Sequence, residues 1–258
     1  MGATVGVCRC KDEVDIIAFT VKHMLTQVDR VIVEDNGSTD GTLQALSDLD
    51  VDVLHDATVG YYQSAAMSRL AEIAARRHDA AIVVPFDADE AWYSPFGRVA
   101  DVLAEHPGAI FTAELYDHVA TARDRDDANP LARIGWRRRE PACLPKVAVR
   151  PRPSVTIHQG NHGADFGATI GGLLVVRHFP YRSAEQFVSK VRNGSAAYAA
   201  TDLPEDAGKH WRDYGRLLDA GGPAAVGDVF RAWFWSPAPE LDATLTFDPA
   251  PVACRSAS

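Results

Sequence analysis

Three acids that follow an apolar stretch are the residues of this chain whose types and spacing best suit chemistry. The stretch AAIVVPF, residues 80–86, is followed at once by Asp87, Asp89 and Glu90. Asp87 and Asp89 stand two residues apart, so an extended backbone would turn both carboxylates to the same side. Two such carboxylates suit a hard cation such as Mg²⁺ or Mn²⁺. A cation held there can bridge a diphosphate and stabilise it as a leaving group.

The same acids also have a purely structural interpretation. Asp87 can cap a following helix, while Asp89 and Glu90 are only solvated, and an isolated Asp-x-Asp pattern is common. Taken alone, the acidic cluster leaves both interpretations open.

A second polar cluster, EDNGSTDGT at residues 34–42, follows another apolar run. Asp35 is placed to accept a hydrogen bond from a base N–H or a ribose hydroxyl. Ser38, Thr39 and Asp40 can cap the following helix through their side chains. For Ser38 to Thr42, the pattern favours a structural role in which the side chains only satisfy backbone groups. For Asp35, it favours contact with a ligand.

Strand and helix patterns alternate through the first hundred residues, in the order βαβαβαβ. The predicted strands are ATVGVCRC, Val31 to Val33, VDVLHD and DAAIVVPF, and the predicted helices are KDEVDIIAFTVKHMLTQ, GTLQALSDL and YYQSAAMSRLAEIAARRH. This order indicates a parallel sheet with helices on both faces. Ligands bind beyond the carboxyl ends of strands in such sheets, so Asp35 and Asp87 are predicted to face one cleft.

The pattern changes after residue 107. GAIFTAELYDHVA is a further strand, a charged loop follows, and the segments around KVAV and LLVVRH predict two or three antiparallel strands. The remainder is helical, and Ser183 is a predicted helix cap. We predict an α/β fold with a mostly parallel sheet, a small antiparallel element and C-terminal helices. One domain would span residues 1–235, divided at 107 and 182, and the Pro- and Ala-rich residues 236–258 would form a loose tail.

Composition excludes some partners. The net charge of −9 argues against nucleic acid, because phosphate binding needs a basic surface. The four cysteines show no paired metal spacing. We find no apolar run near 18 residues and no basic-plus-apolar leader, so the sequence predicts a soluble, cytoplasmic protein without a transmembrane segment.

The motifs together resemble the family 2-like glycosyltransferases, in the bacterial branch with DNGSTDGT and DADE signatures. The matching segments are KDEVD at 11–15, EDNGSTDGT at 34–42, DADEAW at 87–92, LPKVAVRP at 144–151, GNH at 160–162 and RHFPYRSAEQFVSKVRNG at 177–194. The resemblance extends to about residue 235 and implies a GT-A fold. Residues 1–107 would then bind nucleotide, 108–182 would bind the acceptor and 183–235 would form the C-terminal helices. Asp12 stands where Asn is more usual.

The resemblance also implies roles for particular residues. The nucleotide of a sugar donor, with a UDP-sugar favoured, would be bound by Arg9, Lys11, Glu13, Asp35, Tyr61, Gln63 and Asp87. A Mn²⁺ or Mg²⁺ ion on the donor diphosphate would be held by Asp87, Asp89 and His178. The acceptor would be a hydroxyl group.

The catalytic base is not fixed by this resemblance. Family 2-like enzymes usually invert the anomeric carbon and use one carboxylate as base. Asp117, at the end of a predicted strand, and His162, in a Gly-rich turn, are the candidates for the catalytic role. Lys146 or Arg182 would stabilise charge on the departing diphosphate.

Other classes of protein fit less well. A sugar nucleotidyltransferase is expected to have a Gly-rich phosphate loop near the N-terminus, where this chain has VGVCRCKDE. A phosphatase of the HAD type carries its Asp-x-Asp on the first strand rather than the fourth. A non-catalytic nucleotide-sugar-binding module would keep Asp35 but would not need a metal cluster.

Overall fold

The computed structural model describes residues 2–153, 155–165 and 167–249. Two compact units can be distinguished, each assembled from three segments of the chain. The first unit consists of Met1–Asp56, Gln63–Asp117 and Glu140–His178, and the second consists of Ala57–Tyr62, His118–Arg139 and Phe179–Ser258. The single domain predicted over residues 1–235, with its divisions at 107 and 182, stays a prediction.

Twelve strands and seven α-helices are found in the described residues. The strands are β1 Ala3–Cys10, β2 Arg30–Asp35, β3 Asp52–His55, β4 Ala80–Phe86, β5 Glu90–Tyr93, β6 Ile110–Asp117, β7 Ala120–Thr121, β8 Trp136–Arg138, β9 Lys146–Val149, β10 Thr169–His178, β11 Trp235–Ser236 and β12 Leu245–Phe247. The helices are α1 Ile17–Gln27, α2 Thr42–Leu46, α3 Gln63–His78, α4 Val99–Ala104, α5 Pro130–Arg133, α6 Ala184–Ala199 and α7 Lys209–Trp233.

The first unit contains an eight-stranded sheet in the order β3-β2-β1-β4-β9-β6-β10-β5. The strands β3, β2, β1 and β4 are parallel, as the alternating sequence pattern predicts. Strands β6 and β10 are also parallel, whereas β9 pairs antiparallel with both β4 and β6, and β5 pairs antiparallel with β10. The predicted α/β class with a mostly parallel sheet is confirmed.

Both faces of this sheet are covered by helices. Along β1, Val5 and Val7 pack in a core cluster with residues of α3, while Cys8 and Cys10 pack in a second cluster with residues of α1 and α4. This division follows from the alternation of side chains along a buried strand. Cys8 and Cys10 are buried there as small apolar residues.

The second unit contains helices α6 and α7 and two small sheets. Ser183 caps α6, because its side chain accepts a hydrogen bond from the Gln186 backbone N–H at 3.1 Å, as predicted. Phe187, Val191, Val226 and Phe230 form the core between α6 and α7. Helix α7 is interrupted at Gly222, where φ is 69°.

Three local predictions are wrong. Helix α1 begins at Ile17 rather than near Lys11, because the segment before it forms turns. Strands β9 and β10 do not pair with each other, because β6 lies between them. Residues 236–249 are not loose: β11 pairs with β7, and β12 pairs antiparallel with β8. The rest of the predicted tail, residues 250–258, lies outside the described residues.

No helix within the described residues combines the length and the apolar character needed to cross a bilayer.

Candidate functional site

The acids after β4 lie on a turn and not on a continuing strand. Strand β4 ends at Phe86, and the Glu90 backbone N–H donates to the carbonyl of Asp87 at 3.0 Å. The backbone is therefore not extended from Asp87 to Asp89, and the condition under which both carboxylates would face one side is not met. The turn sends the two carboxylates to different partners within the first unit.

Asp87 is bound by three donors. Its Oδ1 accepts hydrogen bonds from Gln63 Nε2 at 2.8 Å and Asn161 Nδ2 at 3.1 Å, and its Oδ2 accepts one from Lys146 Nζ at 2.8 Å. The Asp87 side chain is nevertheless 27% exposed. Asp87 is thus fixed by protein groups and still accessible to a ligand.

Lys146 is the buried cation of this cluster. Its Nζ lies 2.6 Å from Glu90 Oε1 and also donates to the carbonyl of Gly160 at 2.8 Å. Burial alone would lower the pKa of Lys146, but the charges of Asp87 and Glu90 outweigh burial and raise it. Burial in turn raises the pKa of Glu90, against the opposing charge of Lys146. Sequence reasoning placed Lys146 beside a diphosphate and missed its contact with Asp87.

Asp89, His178 and Asp117 form a second group. The Asp89 side chain is 3% exposed, and its Oδ1 lies 3.6 Å from His178 Nε2. The other ring nitrogen, Nδ1, donates to Asp117 Oδ1 at 2.7 Å. Burial works to lower the pKa of His178, but the charge of Asp89 and the hydrogen bond to Asp117 outweigh it and raise the pKa.

The donor set of Asp89 and His178 fits a divalent cation. A metal-binding histidine usually donates its second ring N–H to a carboxylate, and Asp117 fills that role for His178. Asp89 adds the carboxylate oxygen that Mg²⁺ and Mn²⁺ prefer. Asp87 fits less well, because both of its oxygens already accept hydrogen bonds. Among the residues that the structure describes, no three His, Cys, Asp or Glu side chains form a ready-made metal cluster.

His162 lies in the turn that carries Asn161. Its Nδ1 donates to the carbonyl of Pro145 at 2.9 Å, because a carbonyl can only accept. Burial outweighs this hydrogen bond and lowers the pKa of His162. A neutral ring with Nδ1 protonated leaves Nε2 as an acceptor, which is the form that a general base requires.

Gly160 allows this turn to form. Its φ is 75°, and a Cβ at this position would stand 2.4 Å from the His162 ring. We expect Gly160→Ala to lower the free energy of unfolding by about 2–3 kcal/mol, combining left-handed strain with the clash. Denaturant titration measures the loss.

Gly37→Ala is the matched control for Gly160→Ala. Gly37 has a φ of 76°, and a Cβ there would meet nothing within 4 Å. Only the backbone strain of about 1–2 kcal/mol remains in this control. Equal losses in the two variants would show that the His162 ring moves away without cost.

The motif EDNGSTDGT organises two loops of the first unit. Asp35 accepts hydrogen bonds from the backbone N–H groups of Gly37 at 3.1 Å and Ser38 at 3.2 Å. The Ser38 hydroxyl accepts from the Asp12 backbone N–H at 2.9 Å, and Asp12 Oδ1 accepts from the Thr39 backbone N–H at 2.7 Å. The loop after β1 is thereby joined to the loop after β2.

The predicted capping role of this motif is found only in part. Asp40 Oδ1 accepts from the Thr42 backbone N–H at 2.9 Å, where α2 begins. Ser38 and Thr39 instead contact the loop after β1. Glu13 lies in that loop, with its backbone N–H donating to the Thr42 hydroxyl at 2.9 Å, and Lys11 follows the last residue of β1.

Arg9 belongs to an ion-pair network at the ends of β1, β2 and β3. Its Nη1 lies 3.2 Å from Glu34 Oε2 and 2.8 Å from Asp56 Oδ2. Arg69 Nη2 lies 2.8 Å from Glu34 Oε1 and 3.2 Å from Asp56 Oδ2. The Glu34 side chain is fully buried. Sequence reasoning predicted a role for Arg9 but not for its buried partner Glu34, because Glu34 follows the apolar residues of β2 and no local pattern marks it as an ion-pair partner.

Two predicted residues fall in the second unit. Tyr61 packs on Tyr198 with ring centroids 4.9 Å apart. Arg182 Nη1 donates to the carbonyl of Phe179 at 2.9 Å. Of the residues predicted for the site, the first unit contains Arg9, Lys11, Glu13, Asp35, Gln63, Asp87, Asp89, Asp117, Lys146, His162 and His178.

The chain was compared with known families and proteins. The protein family described as "Glycosyl transferase family 2" matches residues 7–154, which are more than half of the 258 residues. A search of curated proteins finds no match.

Several solved structures share a similar course of the backbone. TarS 1-349 from S. aureus, in complex with UDP, is 13% identical with a TM-score of 0.42, over 84% of this chain and 72% of that chain. Mannosyl-3-phosphoglycerate synthase from Rubrobacter xylanophilus is 16% identical with a TM-score of 0.42, over 84% and 76%. Glucosyl-3-phosphoglycerate synthase from Mycobacterium tuberculosis, in complex with Mn²⁺, UDP and glucosyl-3-phosphoglycerate, is 19% identical with a TM-score of 0.34, over 44% of each chain.

Proposed function

The chain belongs to glycosyl transferase family 2 and is a glycosyltransferase, and we propose that it transfers a sugar from a nucleoside diphosphate donor to a hydroxyl acceptor with a divalent cation. The observation that carries this proposal is the group formed by Asp89, His178 and Asp117. This group places the Asp89 carboxylate beside His178 Nε2, while Asp117 binds the other ring nitrogen, Nδ1. The cytoplasmic location predicted from the sequence stays a prediction.

The cation would be Mn²⁺ or Mg²⁺, held by Asp89 Oδ1 and His178 Nε2. When bound, it would supply positive charge to the donor diphosphate. Asp117 holds the His178 ring through Nδ1, so that Nε2 is the nitrogen that would face the cation. Asp89 and Asp117 raise the pKa of His178, so a proton on Nε2 would have to leave before a cation could bind there.

The donor nucleotide would lie beyond the carboxyl ends of β1, β2 and β4, with UDP as the favoured nucleotide. Asp35 and Asp87 are its proposed carboxylate contacts. Asp87 supports this role because it is fixed and still 27% exposed. Arg9, Lys11, Glu13 and Gln63 are proposed to line the same site. The role in nucleotide binding that the resemblance implies for Tyr61 stays a prediction.

The acceptor hydroxyl must lose a proton as the new glycosidic bond forms, and inversion at the anomeric carbon is proposed. Asp117 and His162 are the two candidate bases. His162 supports this role through its lowered pKa and its acceptor at Nε2. Asp117 already accepts from His178, which supports a holding role instead.

We expect Asp117→Asn to weaken Mn²⁺ binding about ten- to hundredfold, because an amide oxygen holds the His178 N–H less strongly than a carboxylate. Calorimetric titration with Mn²⁺ measures this change. The nearby Glu114→Gln on β6 is the control, and it leaves Mn²⁺ binding unchanged. Unaltered Mn²⁺ binding with a turnover loss of about a hundredfold or more would instead make Asp117 the base.

The proposed function is tested by the release of a nucleoside diphosphate from sugar nucleotides. UDP-, GDP-, dTDP- and CDP-sugars are incubated with Mn²⁺ or with EDTA, first with water as acceptor and then with simple sugars and alcohols. Release from one donor class that requires Mn²⁺ supports the proposal. Donor binding without release points to a binding module, and release that EDTA does not change contradicts the metal role.

A further inference from the structure

Asp87 is bound by donors from three separate parts of the first unit. Gln63 is the first residue of α3, Lys146 is the first residue of β9, and Asn161 ends the 3₁₀ turn at Gln159–Asn161. We name Gln63, Lys146 and Asn161 the clamp. All three residues are buried, with exposures of 5%, 3% and 0%.

The clamp is cross-linked through the backbone of the same turn. Gln63 Oε1 accepts from the Gly160 N–H at 2.9 Å, while Lys146 Nζ donates to the Gly160 carbonyl at 2.8 Å. The side chains that hold Asp87 therefore also hold the segment that supplies Asn161. Such mutual support fixes a carboxylate more firmly than three independent hydrogen bonds would.

Asn161 has a conformation that costs free energy. Its φ is 58°, in the left-handed region that residues other than glycine seldom adopt. Its buried Oδ1 also has no hydrogen-bond partner among the described residues. Strain and an unsatisfied polar atom persist where the surrounding structure enforces them, and they concentrate at functional sites.

We propose that Lys146 is a positioning residue that binds Asp87, keeps it out of the cation site and presents it as a fixed acceptor for the donor nucleotide. This inference rests on the proposed function and deepens it. The sequence pattern predicts that Asp87 and Asp89 both hold the cation. The clamp gives the two carboxylates separate tasks, with Asp89 binding the cation and Asp87 binding the nucleotide.

The charges around Lys146 give the proposal a distinctive consequence. Lys146 is the cation between the acids Asp87 and Glu90. Its removal would leave more negative charge beside the cation site and would release Asp87, which stands two residues from Asp89. A cation would then bind more tightly, while the nucleotide would lose its oriented acceptor.

Lys146→Met tests this consequence through two binding constants. With Mn²⁺ alone, we expect binding to tighten at least about threefold. With UDP at saturating Mn²⁺, we expect binding to weaken about tenfold, because a hydrogen bond to a charged group is lost. Lys209→Met, which removes an exposed lysine from α7, is the matched control and changes neither constant.

Gln63→Leu tests the clamp without a change of charge and serves if Lys146→Met does not fold. We expect UDP binding to weaken about tenfold while binding of Mn²⁺ alone is not weakened. Gln63 is 5% exposed, with Nε2 on Asp87 and Oε1 on the Gly160 N–H, so its replacement acts on the nucleotide site through the orientation of that carboxylate.

The possible outcomes test the positioning role of Lys146 and the proposed function separately. Opposite shifts of the two constants in Lys146→Met support the positioning role. Parallel weakening of both constants, or no change in UDP binding in either variant, overturns it, because a merely structural role moves both constants together. Absence of both Mn²⁺ and nucleotide binding in the unaltered protein would contradict the proposed function itself.

Discussion

Asp89→Asn is expected to lower the rate of sugar transfer by about a hundredfold or more while the protein stays folded. Asp89 is the buried carboxylate whose Oδ1 lies 3.6 Å from His178 Nε2. Asn has nearly the same shape but no charge, so it removes the charged ligand without opening a cavity. Loss of a group that only supports a metal ligand already costs about ten- to hundredfold, and loss of the ligand itself costs at least as much.

The measurement for Asp89→Asn combines initial rates at saturating Mn²⁺ with the unfolding transition. Asp50→Asn is the matched control, because the Asp50 side chain is 92% exposed and lies far along the chain from the acidic turn. The control should keep the unaltered rate. A fully active Asp89→Asn variant with an unchanged dependence on Mn²⁺ would remove Asp89 from the cation site.

Glu34→Gln is expected to lower the free energy of unfolding by about 3 kcal/mol. Glu34 is fully buried, and its carboxylate pairs with Arg9 and Arg69. Removing one member of a buried ion pair leaves its partner charged and uncompensated, at a cost of about 3–5 kcal/mol. The loss lies at the lower end because Arg9 keeps its pairing with Asp56 at 2.8 Å.

Denaturant titration measures the loss in Glu34→Gln, provided that the slope of the transition is unchanged. Glu72→Gln on α3 makes the same chemical change at an exposed ion pair with Arg76. We expect that control to cost no more than about 0.5 kcal/mol. A loss in Glu34→Gln as small as that of the control would show that water or a neighbouring group compensates Arg9.

Local patterns predicted the elements of the sheet well. The apolar runs of β1, β2 and β4 and the helical patterns between them gave the parallel half of the sheet before any contact was known. The Ser183 cap was predictable for the same reason, because a cap depends on residues three positions apart. The sequence carries such information wherever it is local.

The pairing of the later strands was not predictable from local patterns. Strand β6 lies between β9 and β10, and this order depends on contacts between distant parts of the chain. The antiparallel prediction followed from the Gly-rich segment that connects β9 and β10. That segment instead forms the turn that carries Asn161 and His162.

The separation of Asp87 from Asp89 could not be predicted either. Spacing places two such carboxylates together only if the strand continues, and the chain turns after Phe86. One of the three partners that fix Asp87 is Lys146, which lies 59 residues further along the chain. No periodicity within the sequence relates these two positions, so the clamp becomes visible only in the folded first unit.

The last strand was concealed by composition. Pro and Ala are frequent after residue 235, a pattern typical of a loose tail. The short stretch Leu245–Phe247 nevertheless pairs antiparallel with Trp136–Arg138, and Trp136 packs on Phe247 with ring centroids 5.4 Å apart. Three residues are too few to give a strand pattern that can be recognised from sequence.

The central claim is that a divalent cation at Asp89 and His178 joins a nucleoside diphosphate to this protein. The most direct test is the unfolding temperature with UDP, GDP, dTDP or CDP, each with Mn²⁺ or with EDTA. A ligand at about 100 times its dissociation constant stabilises the fold by about 2.7 kcal/mol, which corresponds to several degrees. We predict that one diphosphate, with UDP favoured, raises the unfolding temperature only when Mn²⁺ is present. The same rise in EDTA, or no rise with any of the four diphosphates, would contradict the claim.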